Sequence, residues 1–526
     1  MTQTFSHTPR AVVIGAGIGG LCSAARLQAA GYRVSVLEKQ NHPGGKIRTI
    51  TSDSGPVDAG PTVLTLKHVF EDVFDVLGEK LDEHLDLARL PVIARHFWPD
   101  GSTLDLHDTP NMNSKAILDF AGPKAAREFE TFQKDAEALF KAFDRPMMAS
   151  PSPSVTLLAT TIMRQPSLLS AMAPWRSLED QLAKRFSDPR LVQLFGRYAT
   201  YVGGVPHLAP ALLGLIWQAE AAGVWAVKGG MQRLLAAIEA LCKRHGVRFR
   251  YDCPVASITV EDGVAKGVHL KDGSEMRADL VVFNGDPRAL ATGALGPTVT
   301  CVAPQTRTAK RSLSAIVWSF DAVPKGLELS HHNVFFAKTP GQEFRKLGDG
   351  KLPQEQSIYV CAQDRGPSDK TTRGQRERFE IILNAPPLGA GLPPDTEFHT
   401  CQKRTFDVLR RFGLSFDPPP GPQNLSRPDD FAKLFPASLG SLYGQSPHGL
   451  TASLDRPRAR TPIKGLYLAG GGTHPGAGLP MAALSARHAV ETIMTDRTLP
   501  SRSRQTDMHG GMLTELATIK KGPSRS

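Results

Sequence analysis

The stretch AVVIGAGIGGLCSAARL at 11–27 reads as strand, glycine-rich turn and helix in direct succession. Residues 11–14 are uniformly apolar, as a strand covered on both faces is. Gly15, Gly17 and Gly20 satisfy the GxGxxG pattern. The first glycine allows the tight turn, the second lets backbone approach a pyrophosphate, and the third lets helix pack on strand. Leu21, Ala24, Ala25 and Leu27 give the helix an apolar face, Gly31 ends it, and residues 33–37 form a second strand. Glu38 closes that strand, placed to accept the hydroxyls of an adenosine ribose and to repel a 2′-phosphate. The unit predicts a βαβ dinucleotide-binding fold and disfavours NADP.

A second glycine-rich turn lies at the other end of the chain. GGGTHPGAGLP at 470–480 follows the strand-like run 465–469 and opens an apolar helix from Met481. Helix N-termini carry free N–H groups and partial positive charge, so each turn is an anion site. Two such turns imply one large ligand gripped by both ends of the chain, a flavin dinucleotide, FAD. Gly471, Gly472 and Gly478 offer backbone N–H groups there. His474 reads as a cofactor-contacting or packing residue rather than a general base, and Met481 is placed to lie against the flavin ring. Gly44, Gly45, Lys46 and Arg48 supply flexible backbone and two cations for the pyrophosphate and flavin edge. Asp286, in the turn Asn284-Gly285-Asp286 at a strand end, either approaches the adenine side or makes a structural turn.

At 526 residues the chain is long enough for two domains. Its net charge of +11 suits an anionic cofactor, anionic lipid or nucleic acid, but no basic–aromatic interleaving supports the last. Six scattered cysteines without a CxxC pair argue against a disulfide framework or a zinc site, so no metal is expected. No secretory signal precedes the first strand. No window offers ~20 uninterrupted apolar residues, which argues against a spanning helix. The nearest case, 208–227, carries Pro210, Gln218 and Glu220 and reads as a buried helix. No HExxH, GxSxG or P-loop sequence is present.

The cofactor-like pattern recurs in three pieces. They predict a discontinuous cofactor domain over 1–65, 226–299 and 441–496. Two inserted pieces, 66–225 (mainly helical) and 300–440 (strand-rich), would form a substrate and membrane-associating domain. Residues 150–175 carry one charge, Arg164, among Leu, Met, Pro and Ala. They read either as an interfacial element or as a buried helix pair. Residues 497–526 read as a disordered basic tail.

Taken together, these residues resemble the phytoene desaturase family of FAD-dependent carotenoid oxidoreductases. The likeness covers nearly the whole chain to about residue 495. It rests on VVIGAGIGGLCSAARL at 12–27, LEK at 37–39, PGGK at 43–46, DAGPTVL at 58–64, VGGVPHLAP at 202–210, GVWAVKGGMQRL at 223–234, NGDP at 284–287 and LYLAGGGTHPGAGLPMA at 466–482. DAGPTVLT with the last segment looks most like the bacterial branch acting on 1-hydroxy- or 1-methoxycarotenoids at the 3,4-bond. Gly285 stands where the family often has alanine.

The resemblance implies an α/β fold: a Rossmann-like FAD-binding domain of the glutathione-reductase/amine-oxidase type with an inserted mixed α+β substrate domain. It implies hydride transfer from an acyclic carotenoid to flavin, with oxygen or a membrane quinone as final electron acceptor. The setting implied is cytoplasmic, peripheral on the inner membrane. It adds Val255 to the cofactor contacts and places Arg176 and Glu220 near substrate or flavin. The bland readings of those two are a helix-start surface cation and a buried, hydrogen-bonded carboxylate. Competing readings are a phytoene desaturase, a redox-neutral carotenoid isomerase, an amine or protoporphyrinogen oxidase, and a flavin-free prenyl-binding escort protein.

Overall fold

The computed structural model describes residues 8–367, 374–389, 397–449, 452 and 454–498. The 499–526 part of the expected tail lies outside the described residues. Arg497 does not begin a tail, because the last helix, Leu479–Thr498, continues through it.

The opening βαβ unit forms as its pattern dictates. Strand Arg10–Ile14 pairs in parallel with Arg33–Leu37 across the helix Ile18–Ala29. A five-stranded parallel sheet grows around it in the spatial order Leu466–Leu468, Leu280–Phe283, Arg10–Ile14, Arg33–Leu37, Arg248–Arg250. Strands from three distant stretches of sequence therefore lie side by side. On one face, helices Ile18–Ala29, Gln232–Arg244 and Leu479–Thr498 bury Leu21, Leu27, Leu234, Leu241 and Ala483 against Val13, Val34 and Val36. On the other face, Val12, Val281 and Phe283 pack with Ile258 and Val268 of a three-stranded antiparallel meander, residues 255–277. Each fully buried Leu or Val contributes roughly 1.5–3 kcal/mol, so double coverage explains why these strands are apolar on both faces.

The second sheet is mixed. Its main order is Leu414–Asp417, Ser314–Gly326, Glu377–Ala385, Ile358–Ala362, His332–Phe335, Val92–Phe97, Thr103–His107. The pair His332–Phe335 with Val92–Phe97 is parallel, and the other pairs along this path are antiparallel. Residues of both inserted pieces thus share one sheet. The stretch 66–225 is less helical than its pattern suggests, since it holds Leu87–Arg89, Val92–Phe97 and Thr103–His107 as strands. The expected buried helix over 208–227 is also broken. Only Ile216–Ala221 is α-helical, after a 3₁₀ turn at Ala211–Leu215. The chain reverses at Gly223, whose φ of 133° no helix accommodates.

Alternation along Glu377–Ala385 decides what each face does. Phe379, Ile381 and Leu383 point into a core with Trp318, Phe320 and Val360. Glu380, Ile382 and Asn384 point the other way, toward the cofactor sheet, where they help line a cavity.

Candidate active site

One cavity of about 860 Å³ runs from the glycine turns of the parallel sheet to the floor made by the mixed sheet. Its walls include Gly15, Gly17, Glu38, Gly45, Lys46, Arg48, Val255, Asp286, Gly471, Gly472 and Gly478, eleven of the residues singled out from sequence.

The two glycine turns follow the parallel strands on either side of Leu280–Phe283, and Asn284 at the end of that middle strand locks them together. Its Nδ2 donates to the Gly15 carbonyl at 3.3 Å. A Cβ on Gly470 would lie 2.6 Å from the Asn284 Oδ1, so only glycine lets the second turn close on this side chain. Gly20 does not face the cavity. A Cβ there would sit 2.0 Å from the Gly15 carbonyl oxygen, which is the helix-on-strand packing its place in the motif requires.

Glu38 is buried and accepts backbone N–H groups from Ala16 (2.7 Å) and Gln40 (3.0 Å). Each carboxylate oxygen keeps a second lone pair for a ribose hydroxyl. Cys253, Pro254 and Val255 close the cavity beside it, with the Cys253 N–H donating to the Glu38 carbonyl at 2.8 Å.

Farther along, Lys46, Arg311 and Arg456 cluster around the single carboxylate of Asp286. Asp286 forms an ion pair with Arg311 and caps the short helix Pro287–Ala291. It therefore makes the structural turn that was one of the two sequence readings, and it also lines the cavity. Arg456 ties the second glycine turn to the neighbouring loop by donating to the carbonyls of Gly471 (3.0 Å), Tyr443 (3.1 Å) and Gln445 (3.1 Å). Burial lowers the Arg456 guanidinium to about 10, with Arg311 acting in the same sense. Lys46 is open to the cavity but enclosed by the fold, and it donates to the Leu442 carbonyl at 2.5 Å. Burial lowers its ammonium to about 8. Asp286 opposes that shift, and Arg311 and Arg456 reinforce it. Three cations against one carboxylate leave an excess of positive charge. With the glycine cradles, that excess fits the two phosphates of a dinucleotide.

The substrate-side floor is mostly apolar, with Ala315, Val317, Val334, Ile358 and Ile382. Thr62, Tyr359 and His332 form a hydrogen-bonded chain, Thr62 Oγ1 to Tyr359 Oη at 2.7 Å and Tyr359 Oη to His332 Nδ1 at 2.6 Å. Burial, then the charge of Asp58, push the Glu380 carboxyl well above the usual carboxylate range, against the pull of Arg48.

Four expected cofactor or substrate contacts are corrected, and for His474, Arg176 and Glu220 the packing or structural alternative holds. His474 is not on the cavity wall. Its Nε2 pairs with the Ser150 carbonyl at 2.9 Å, and its ring stacks on His488 at 5.4 Å. Met481 packs against the helical core instead of a flavin. The helix begins at Leu479, two residues earlier than its pattern suggests, so Leu479 and Ala482 face the cavity and Met481 turns away. Arg176 donates to Gln181 at 2.9 Å beside the start of the helix Leu178–Arg185 and does not reach the cavity. Glu220 is buried one side chain behind the wall, accepting from the Tyr198 hydroxyl at 2.6 Å.

Sequence reading missed Arg311, Arg456, Arg197, Tyr201 and Tyr443, which sit in no local motif. Nor did spacing bring His331, His332 and Cys361 together, although their side chains lie within 4.8 Å of one another on adjacent strands. Burial pushes the Cys361 thiol well up and His332 well below its usual range.

Comparison with known proteins agrees with this geometry. Residues 18–325 match the family model described as flavin containing amine oxidoreductase. A hydroxyneurosporene desaturase of Cereibacter sphaeroides is 53% identical over 94% of this chain and 99% of its own. One from Rhodobacter capsulatus is 46% identical over 92% and 98%. Among solved structures, a putrescine oxidase variant shares the fold with a TM-score of 0.58 at 14% identity, covering 94% of this chain and all of its own. The chain belongs to the flavin-containing amine oxidoreductases, within the phytoene desaturase family of carotenoid desaturases.

Proposed function

We propose that the protein uses FAD to desaturate an acyclic carotenoid with an oxygen substituent at C1, forming the 3,4 double bond. The observation that carries this reading is the single cavity joining two dinucleotide-binding turns to an apolar sheet floor. The hydroxyneurosporene desaturases that resemble the chain over nearly its full length support the substrate class.

In this reading Glu38 accepts the adenosine ribose hydroxyls. Gly15, Gly17, Gly45, Gly471, Gly472 and Gly478 bring backbone to the cofactor, Lys46 and Arg48 face its pyrophosphate and flavin edge, and Val255 and Asp286 border its adenine half. Pieces 1–65, 226–299 and 441–496 form the cofactor domain, and 66–225 with 300–440 the substrate domain. When bound, FAD supplies a two-electron hydride acceptor. The substrate gives up one hydride from one of C3 and C4 and one proton from the other, and the C3–C4 bond becomes double. Positive charge left by hydride loss spreads along the polyene, so the protein's task is to hold the chain in line and exclude water. Val317, Val334 and Ile382 supply the dry floor for that.

The substrate is almost insoluble in water, which favours delivery from a membrane surface. Among the described residues no helix is long and apolar enough to cross a membrane. The helices Val155–Arg164 and Ser167–Met172 and the turn after them instead expose Leu157, Met163, Leu169 and Trp175, the last at 67%. Such a patch suits the headgroup–acyl boundary.

Product analysis tests the proposal. In cells making 1-hydroxyneurosporene, co-expression is expected to give a product two hydrogens lighter with a red-shifted polyene band. Unchanged 1-hydroxyneurosporene would overturn the substrate assignment.

A further inference from the structure

The cavity wall carries an arginine whose donors a pure hydrocarbon could not satisfy. Arg197 begins the turn Arg197–Val202 and stands on the cavity wall beside Thr200 and Tyr201. Its guanidinium lies over the Tyr201 ring at 5.3 Å, and its Nη2 donates to the Tyr201 hydroxyl at 3.3 Å. Glu220, behind the wall, is near enough to both residues to offset the positive charge. A guanidinium carries five N–H donors. Among the described residues, Tyr201 is the only acceptor its side chain meets.

The neighbouring polar groups differ. The hydroxyls of Thr62 and Tyr359 and the His332 Nδ1 satisfy one another. Arg197, by contrast, is a charged donor on the wall whose side chain meets one acceptor, Tyr201. Water can solvate it while the cavity is open. A carotenoid that fills the cavity expels that water, and a hydrocarbon end would strand the donors. An oxygen on the substrate end would accept from them.

We infer that Arg197, oriented by Tyr201 and charge-balanced by Glu220, recognises the C1 oxygen of the substrate and sets its preference for oxygenated ends. This rests on the carotenoid reading above. A guanidinium only donates, so a hydroxyl and a methoxy oxygen serve equally as acceptors. The site therefore discriminates the presence of oxygen, not of a hydroxyl hydrogen. Sites built to hydrogen-bond a substrate group reject the analogue that lacks it far more strongly than apolar pockets reject a change of size.

The test measures kcat/KM of the flavin-loaded enzyme with 1-hydroxyneurosporene, its 1-methoxy ether and unsubstituted neurosporene. The wild type is expected to convert the first two and discriminate against the third. Arg197→Met should lose roughly 10- to 100-fold on the oxygenated pair, the worth of a hydrogen bond to a charged group. It should gain on neurosporene, whose hydrocarbon end no longer strands the donors, so the preference collapses. Flavin absorbance and melting temperature report whether the variant is folded. If Arg197→Met does not hold flavin, the charge-neutral pair Arg197→Met with Glu220→Gln takes its place in the same assay. A folded variant that keeps the wild-type preference overturns the role of Arg197 while leaving the desaturase reading intact. Failure of the wild type to convert any of the three overturns both.

Discussion

At the residue scale, the cofactor site depends on a few groups whose chemistry is fixed by what surrounds them. Glu38 is aimed by two backbone N–H donors, and a cation there would reverse the interaction with the ribose. Glu38→Arg is expected to abolish flavin retention, read as the flavin absorbance per protein after gel filtration. A variant holding stoichiometric flavin would refute the placement of the ribose. Lys46 gives a pH dependence. Its ammonium is lowered from the ordinary lysine range to about 8, so without bound phosphates it loses its proton as pH rises through that value. Phosphate binding favours the charged form, so flavin affinity should be level below pH 8 and decline above it. Lys46→Met should bind more weakly at neutral pH and show no such decline. The same shift makes the charged lysine unfavourable in the empty folded protein. Relative to an unfolded chain, the empty protein therefore gains stability between pH 8 and the ordinary lysine range. Titrations of flavin fluorescence against pH for both proteins check the binding claim, and identical profiles would rule Lys46 out.

At the element scale, periodicity was a good guide where one pattern dominated and a poor one where two competed. The apolar run at 11–14 corresponds to the faces it buries. The helix after the second glycine turn starts earlier than its apolar run, and that offset moved the cavity-facing positions from Met481 to Leu479 and Ala482. The helices Val155–Arg164 and Ser167–Met172 test the membrane assignment. Their exposed apolar side chains would be removed from water by a bilayer surface, at about 25 cal/mol per Å² of apolar area buried. Replacing Leu157, Met163, Leu169 and Trp175 together by serine is expected to reduce sedimentation with anionic vesicles at least tenfold. Flavin content should stay unchanged. Equal sedimentation of both proteins would place the membrane contact elsewhere.

At the scale of the whole molecule, glycine turns from distant parts of the chain line one cavity, which the proposed function fills with a single flavin dinucleotide. Hydrogen exchange should therefore slow on flavin addition at 15–20 and at 470–478 together. The coupling follows from Asn284 standing between both turns. Protection confined to one segment would contradict a shared cofactor.

Much of this protein was legible in its sequence. The βαβ unit, the glycine turns and Glu38 are local patterns, because a tight turn, a buried strand and a ribose acceptor each need particular residues at short, fixed spacing. The cation cluster of Lys46, Arg311 and Arg456, the withdrawal of His474 to Ser150, and the place of Arg197 on the cavity wall were decided only by tertiary structure. Those contacts join residues tens to hundreds of positions apart. Sheet order and the packing of inserted segments set them, and no periodicity along the chain encodes which distant side chains will share a cavity.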